Sequence, residues 1–157
     1  MQTSTWISSR LFWCAAAVIF SAGVAPLVRG ATAVPDPCKL IAVSEFEQIV
    51  GPLRGSPKPG DVKAGDISCS YKPAKGPAWI EIRLHDGELA YWKGRNGGKS
   101  PVSLPGLGKD AFVNPDFEGS ADLYAKKGDL ILRVSMPKGP TAVEQLKAIA
   151  QKALSRL

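Results

Sequence analysis

The stretch LPGLGKDAF, which ends at Phe112, contains G-x-G-x-x-A, the spacing with which a dinucleotide-binding turn brings backbone amides against a pyrophosphate. Such a turn needs a strand before its first glycine and a helix after its second, because the helix N-terminus holds the phosphate. Here Pro105 precedes the first glycine, and Asn114-Pro115 interrupts the chain soon after Ala111. We therefore interpret Pro-Gly-Leu-Gly as turn glycines that direct Ala111 and Phe112 into the core.

The other phosphate loop, G-x-x-x-x-G-K-[ST], does not fit this stretch either. Its first glycine would fall on Ser103, and Lys109 is followed by Asp110 rather than by serine or threonine. We expect no nucleotide site and no other cofactor.

His85 is the single histidine of the chain, and His85-Asp86-Gly87-Glu88 offers a base and two carboxylates. A strand end followed by Asp-Gly is ordinary turn chemistry, and a hydrolase triad would further need a nucleophile elbow such as G-x-S-x-G, which the sequence lacks. A glycosidase-type carboxylate pair stays open, because the separation of such a pair is a property of the fold. We expect no catalytic residues, with a hydrolase that uses carboxylates or His85 as the alternative.

The N-terminal residues 1–33 predict a secretory signal peptide. Arg10 is followed by an apolar run, no acidic residue occurs before Asp36, and Ala31-Thr32-Ala33 supplies the small-x-small pattern of a cleavage site. Residues 34–157 would then form a single exported domain, periplasmic or extracellular, with no stable membrane insertion after cleavage. Retention of the segment as an anchor is the alternative.

The chain has three cysteines, of which Cys14 lies in the predicted signal peptide. Cys38 and Cys69 remain as an even pair in a chain bound for an oxidising compartment, so we expect a disulfide between them. A metal site is not expected, because two distant cysteines and one histidine fall short of a zinc set.

Residues 34–157 carry 18 lysines and arginines and 14 acidic residues, a net charge of +4. For an exported protein this charge favours anionic envelope polymers or lipid head groups as partners, and location disfavours nucleic acid. Simple solubility is the alternative explanation of the charge, and the one that the sequence favours.

The order of patterns predicts an α+β fold. A capping box at Ser44-Glu-Phe-Glu47 starts a short helix that ends at Gly51-Pro52, and a Gly-, Pro- and Lys-rich loop follows to Gly65. Two ββα units come next: strands at 67–72 and 78–85 with a helix at 88–93, then strands at 121–126 and 130–136 with a long helix from Thr141. We expect an antiparallel sheet of about four strands with all helices on one face.

Strand alternation leaves the other sheet face open and gives the candidate ligand site. Trp79, Arg83, His85, Tyr124 and Arg133 would combine aromatic surface with guanidinium groups, which suits sugars or polymers that bear carboxylate or phosphate. Two alternatives need no ligand: the loop before Gly65 could cover Trp79, and a second copy in a homodimer could cover Ile131.

Four short segments together resemble a known family: Asp36-Pro-Cys38 leading into Ser44-Glu-Phe-Glu47, Cys69 before a tyrosine, Pro105 to Phe112, and Gly128 to Val134. They are similar to the domain of unknown function found in many secreted lipoproteins of actinobacteria, which is related in plan to extracellular sensor domains of bacterial receptor kinases. The likeness covers most of 36–157. It implies a disulfide-stapled α+β envelope domain with no catalytic residues to carry across, although this chain lacks a lipobox cysteine.

The sequence therefore predicts an exported, non-enzymatic envelope protein that binds a polymer or another envelope protein through its open sheet face. A structural homodimer without a ligand is a further alternative.

Overall fold

The computed structural model of the protein describes residues 34–60, 66–76, 80–94, 100–108 and 110–157, with the backbone alone at 80–83 and 86. The expected signal peptide at 1–33 and the expected ligand residue Trp79 lie outside the described residues. Ala33–Leu157 forms a compact unit of its own.

The described residues form an α+β fold with an open antiparallel sheet. Its strands run in the order β1-β2-β3-β7-β6-β5-β4. The elements in chain order are a 3₁₀ turn Pro37–Lys39, α1 Val43–Val50, β1 Lys58–Pro59, β2 Ile67–Tyr71, β3 Ile80–Asp86, α2 Leu89–Gly94, β4 Val102–Ser103, β5 Phe112–Phe117, β6 Ser120–Lys127, β7 Leu130–Pro137 and α3 Ala142–Arg156.

The antiparallel α+β architecture is confirmed, but the expected count of about four strands is wrong, because the described residues contain seven. β1 and β4 have two residues each, too few to show an alternating pattern. β5 contains Pro115, which argues against a strand unless the pairing is irregular there. Its register with β6 does shift between Asn114 and Phe117, so the proline falls at a bulge.

The two expected ββα units are joined at the centre of the sheet. β3 pairs antiparallel with β7, and β6 and β7 form a hairpin in which Lys127 pairs with Leu130. Gly128 in this turn has φ +60°, a conformation that glycine adopts at little cost.

The main core lies between the sheet and helices α1 and α3. α3 contacts β5, β6 and β7, and α1 contacts α3. The buried residues from the longest strands and from α3 follow the predicted alternation and helical stripe: Leu84, Leu123, Leu132, Val134, Met136, Leu146, Ile149, Ala150 and Ala153.

Helix α1 begins two residues earlier than its expected capping box. Ala42 is the N-cap residue, and Glu45 Oε2 accepts a hydrogen bond from its backbone N–H at 3.1 Å. Glu47 instead accepts from the backbone N–H of Leu53 at 2.9 Å. The helix ends at Gly51, as predicted, where φ is +88°.

The expected Cys38–Cys69 disulfide is present, with the two Cα atoms 5.1 Å apart. It ties the 3₁₀ turn to β2, beside a stack in which the rings of Phe46 and Tyr71 are 4.0 Å apart. Burial, and to a smaller extent the Asp36 carboxylate, raises the pKa of Tyr71 to about 12. The disulfide thus joins the N-terminal part of this unit to its core, and such a bond fits an oxidising compartment.

The expectation that all helices pack on one sheet face is wrong for α2. Leu89 and Trp92 of α2 form a second cluster with Phe112, Tyr124 and Ile131. These three sheet residues alternate with residues of the main core, so α2 lies on the opposite face. The predicted helix at 88–93 is short, and the two residues that it contributes to this cluster, Leu89 and Trp92, form a single i, i+3 pair. One such pair does not show which face of the sheet the helix would cover.

Candidate functional site

The sheet face away from α1 and α3, called here the second face, carries the residues that the sequence singled out. Strand register brings four of the five predicted ligand residues onto three neighbouring strands. Arg83 on β3 pairs with Arg133 on β7, which pairs with Tyr124 on β6. His85 lies two residues further along β3, where it pairs with Ile131 of β7. For Arg83, only the position of the backbone is described.

Helix α2 covers one end of the second face. The Trp92 ring lies 5.8 Å from the Tyr124 ring and 4.3 Å from the His85 ring, and Tyr124 stacks on Phe112 at 5.0 Å. His85 and Tyr124 are consequently 1% and 6% exposed. The expectation of an open face is therefore wrong beneath α2.

The same contacts account for Ile131, which is fully buried. The sequence suggested that a second copy of the chain could cover it, but Ile131 packs in the α2 cluster of its own chain. Its burial consequently gives no reason to invoke a dimer.

Next to the aromatic cluster, β6 and β7 place a row of polar side chains, called here the polar row: Ser120, Asp122, Arg133 and Ser135. Asp122 is fully buried, and its Oδ2 accepts hydrogen bonds from Arg133 Nη2 at 3.2 Å and from Ser120 Oγ at 3.3 Å. Arg133 also lies over the Tyr124 ring, 5.7 Å from its centroid. Its side chain keeps 17% of its area exposed, so the row meets solvent at Arg133.

Three buried atoms of the polar row have no hydrogen-bond partner within the described chain: Asp122 Oδ1, Arg133 Nε and Ser135 Oγ. Register places Asp122 directly opposite Ser135. Leaving a buried polar atom unpaired costs about 1–3 kcal/mol, so such atoms normally meet a water molecule or a ligand. The row therefore presents an acceptor, a donor and a hydroxyl side by side next to an aromatic ring.

His85 has a partner that its sequence neighbours do not predict. Its Nδ1 lies 2.8 Å from Oδ1 of Asp66, the residue that precedes β2. Glu88, which the sequence grouped with His85, is exposed at the start of α2. The histidine thus packs between Asp66 and Trp92 rather than opening into a cleft.

The glycine stretch behaves as the sequence predicted. Gly106 and Gly108 have φ of +94° and +110°, Ala111 and Phe112 are buried, and the chain continues directly into β5 rather than into a helix. A groove of about 310 Å³ runs beside this turn, between Gly106, Leu107, Lys126 and Leu154. Lys127 closes one side by donating to the carbonyl of Leu154 at 2.7 Å.

Sequence reasoning missed Asp66, Trp92, Asp122 and Ser135 as members of this region. Asp122 gave the one usable signal, since a charged residue lies between the apolar residues Ala121 and Leu123 of a predicted strand. Trp92 gave none, because the side of the sheet on which α2 packs depends on the tertiary fold.

Within the described ranges, no group of three His, Cys, Asp or Glu side chains is arranged to hold a metal ion. Nor does any helix in that part of the chain have the length and apolar character needed to cross a bilayer.

A comparison with solved structures finds a match to the crystal structure of a GTP-binding regulator from Thermotoga maritima. The two share 15% sequence identity with a TM-score of 0.41, over 76% of this chain and 93% of the other. No family model matches the chain, and no curated protein matches it.

Proposed function

We propose that the protein is an exported, non-enzymatic envelope protein that binds an envelope polymer or another envelope protein through the second face. Residues 1–33 act as a signal peptide in this proposal, and residues 34–157 form the working domain. The resemblance to the secreted actinobacterial lipoprotein domain belongs to the same proposal.

The Cys38–Cys69 disulfide supports the location. Such bonds persist in oxidising compartments and are rare where thiols are kept reduced. The basic balance of residues 34–157 fits an envelope in which many polymers carry negative charge.

The observation that carries the binding function is the set of unpaired buried atoms in the polar row. An acceptor on Asp122, a donor on Arg133 and the hydroxyl of Ser135 match a ligand that offers hydroxyl groups, while Tyr124 offers a ring beside them. Ligand groups that hydrogen-bond these atoms would remove the cost of leaving them unpaired. A polymer with polar side groups, entering beside Arg133, has this chemistry.

Trp79 and Arg83 belong to this proposal as well. Arg83 is paired by its backbone with Arg133, so a ligand at the polar row would lie next to the strand position of Arg83. His85 and Tyr124 would act by supporting the row and α2, since both are buried.

Co-sedimentation with isolated cell-wall sacculi at low and high salt tests the proposal. We expect the wild-type protein to sediment with sacculi at low salt. Ser135→Ala should weaken that binding about two- to tenfold without lowering the free energy of unfolding, because Ser135 Oγ bonds no other atom of the described chain and its removal breaks no hydrogen bond there. Ser103→Ala, which alters an exposed serine on β4, serves as the matched control.

Absence of sedimentation at both salt concentrations would contradict binding to a wall polymer. Equal binding by wild type and Ser135→Ala would contradict the polar row as the site. Release of soluble wall fragments by the protein would favour the hydrolase alternative instead.

A further inference from the structure

One edge of the sheet carries a group of exposed cations, called here the basic edge: Arg54, Lys58, Lys72 and Lys75. Backbone pairing brings them together. The N–H of Arg54 donates to the carbonyl of Lys72 at 2.7 Å, and Lys58 on β1 pairs with Ser70, two residues before Lys72. Two basic segments, one from Arg54 to Lys58 and the other from Ser70 to Lys75, therefore run side by side.

Arg54 fixes this arrangement. Its Nη2 and Nε donate to the carbonyl of Ala74 at 2.6 and 3.2 Å, next to Lys75. A carbonyl is neutral, so these hydrogen bonds hold the guanidinium without cancelling its charge.

Among the described residues, the lysines of the basic edge have no acidic partner. Within the described chain, Lys58, Lys72 and Lys75 form no ion pair. Residues 51–76 contain five lysines and arginines and two aspartates, so they hold +3 of the net +4 of residues 34–157. Of those aspartates, Asp66 faces His85.

Three lysines elsewhere in the described chain differ, because each has a carboxylate partner. Lys138 lies 3.2 Å from Asp116, Lys147 lies 3.5 Å from Glu144, and Lys152 lies 3.2 Å from Glu45. The three lysines of the basic edge thus keep a positive charge that these other lysines share with a carboxylate.

Protection of a sheet edge from aggregation explains part of this pattern. A lysine and a proline on a short edge strand, as in Lys58 and Pro59, are a common means of blocking strand pairing. Arg54, Lys72 and Lys75 lie outside β1 and β2, so edge protection does not account for them.

We infer that the basic edge is an electrostatic binding surface for a polyanionic polymer, one that carries phosphate or carboxylate groups at regular intervals. This inference rests on the proposed function and names the charge of the polymer. A soluble or wall-bound polymer is favoured over a membrane, because membrane-surface binding usually adds apolar side chains that insert. The exposed large apolar residues of the described chain, Val34, Val43, Tyr91 and Val102, belong to other segments.

The test uses protein expressed from the full 157-residue sequence and purified after export, with inorganic polyphosphate as the probe. The edge variant combines Arg54→Gln, Lys58→Gln, Lys72→Gln and Lys75→Gln. The matched control removes the same charge from β6 and α3, with Lys126→Gln, Lys127→Gln, Lys147→Gln and Lys152→Gln. A Lys72→Gln/Lys75→Gln double variant leaves the Arg54 hydrogen bonds intact and tests the inference should the larger variant fold poorly.

We expect polyphosphate binding to the wild-type protein to weaken as salt rises, and the edge variant to bind at least about tenfold more weakly than the control. A plot of log affinity against log salt should be shallower by about 3 for the edge variant than for wild type. Each phosphate of a flexible strand that the protein no longer neutralises reduces the slope by roughly 0.7, and the variant lacks four cations. Equal affinity of the edge and control variants would overturn the inference. So would wild-type binding to phosphatidylglycerol vesicles at least as tight as to polyphosphate.

The two proposals fail separately. Loss of polyphosphate binding in the edge variant, together with no wild-type binding to sacculi, would keep the polyanion surface and overturn the envelope function. Equal polyphosphate affinity of the edge and control variants, together with wild-type binding to sacculi, would keep the envelope function and overturn the basic edge.

Discussion

Removal of the Cys38–Cys69 disulfide should lower the free energy of unfolding by between about 3 and 4 kcal/mol. The two cysteines are 31 positions apart, and closing a loop of that length in the unfolded chain removes about 12 cal/mol/K of entropy. At 25 °C this corresponds to about 3.7 kcal/mol, a large share of the roughly 5–15 kcal/mol by which domains are stable.

The assay is urea unfolding of oxidised wild type, reduced wild type and the Cys38→Ala/Cys69→Ala variant. Reduction removes the cross-link but keeps both sulfur atoms in place, whereas the double variant also loses their packing. Because Cys69 is fully buried, the variant should be less stable than the reduced protein by a further increment of about 1 kcal/mol. Both should show a larger m-value than oxidised wild type, since an unfolded chain without the cross-link exposes more surface.

The control is the comparison between reduced wild type and the double variant, which isolates packing from the cross-link. If reduced and oxidised wild type differ by less than about 1 kcal/mol, the disulfide does not stabilise this fold by restricting its unfolded state.

Other regions of the fold give further expectations. Hydrogen bonding to Arg156, and secondarily to the Ala42 backbone, lowers the pKa of Glu45 to about 2, so its stabilising effect is full above about pH 4.5 and is lost as pH falls towards 2. The midpoint of thermal unfolding should therefore fall through this range, less steeply in Glu45→Gln; parallel profiles for the two proteins would contradict this. Leu89→Ala should cost about 2 kcal/mol in urea unfolding and should make Tyr124 more reactive to nitration, since α2 would lose its buried anchor; an unchanged reactivity would show that α2 does not cover that ring. Gly108→Ala should cost about 1–3 kcal/mol in the same assay, because φ there is +110° although no atom closer than 3.8 Å blocks the new Cβ. Gly139→Ala, at an open position without a positive φ, is its control, and equal stability of the two variants would refute the argument from strain.

The long, alternating segments allowed much of the fold to be predicted from sequence. Leu132 and Val134 on β7 share the face that α3 covers, as their spacing required, and the even cysteine pair did form the disulfide. These features depend on local pattern or on simple counting. Apolar alternation predicts the fold well here because the residues that it places on one face are the ones that form the main core. The even cysteine count predicts the disulfide independently of that pattern.

The features that were missed depend on contacts between segments distant in sequence. The pairing of Lys58 with Ser70 makes a strand of two residues whose own sequence carries no strand pattern. The bulge at Pro115 is set by the register of β5 on β6. Helix α2 covers one end of the second face, where the ring of Trp92 stacks on that of Tyr124. None of these three features could be found from spacing alone.

The candidate site was predicted in the same uneven way. Alternation placed Tyr124 and Arg133 on the second face, and register confirms that they are neighbours. Their partner Asp122 was overlooked, and the burial of His85 follows from α2 and Asp66, which no local pattern connects to it. The basic edge was hidden because its four cations come from two stretches that only the fold aligns.

The central claim, an exported protein of the envelope, is tested most directly by recovering the protein from growing cells under conditions that trap free thiols. Sequencing its N-terminus and measuring the redox state of its cysteines would then show where it has been. We expect a chain that begins at Val34 in the exported fraction, with Cys38 and Cys69 protected as a disulfide. A protein recovered from the cytoplasm with residues 1–33 intact and both thiols trapped would contradict the account.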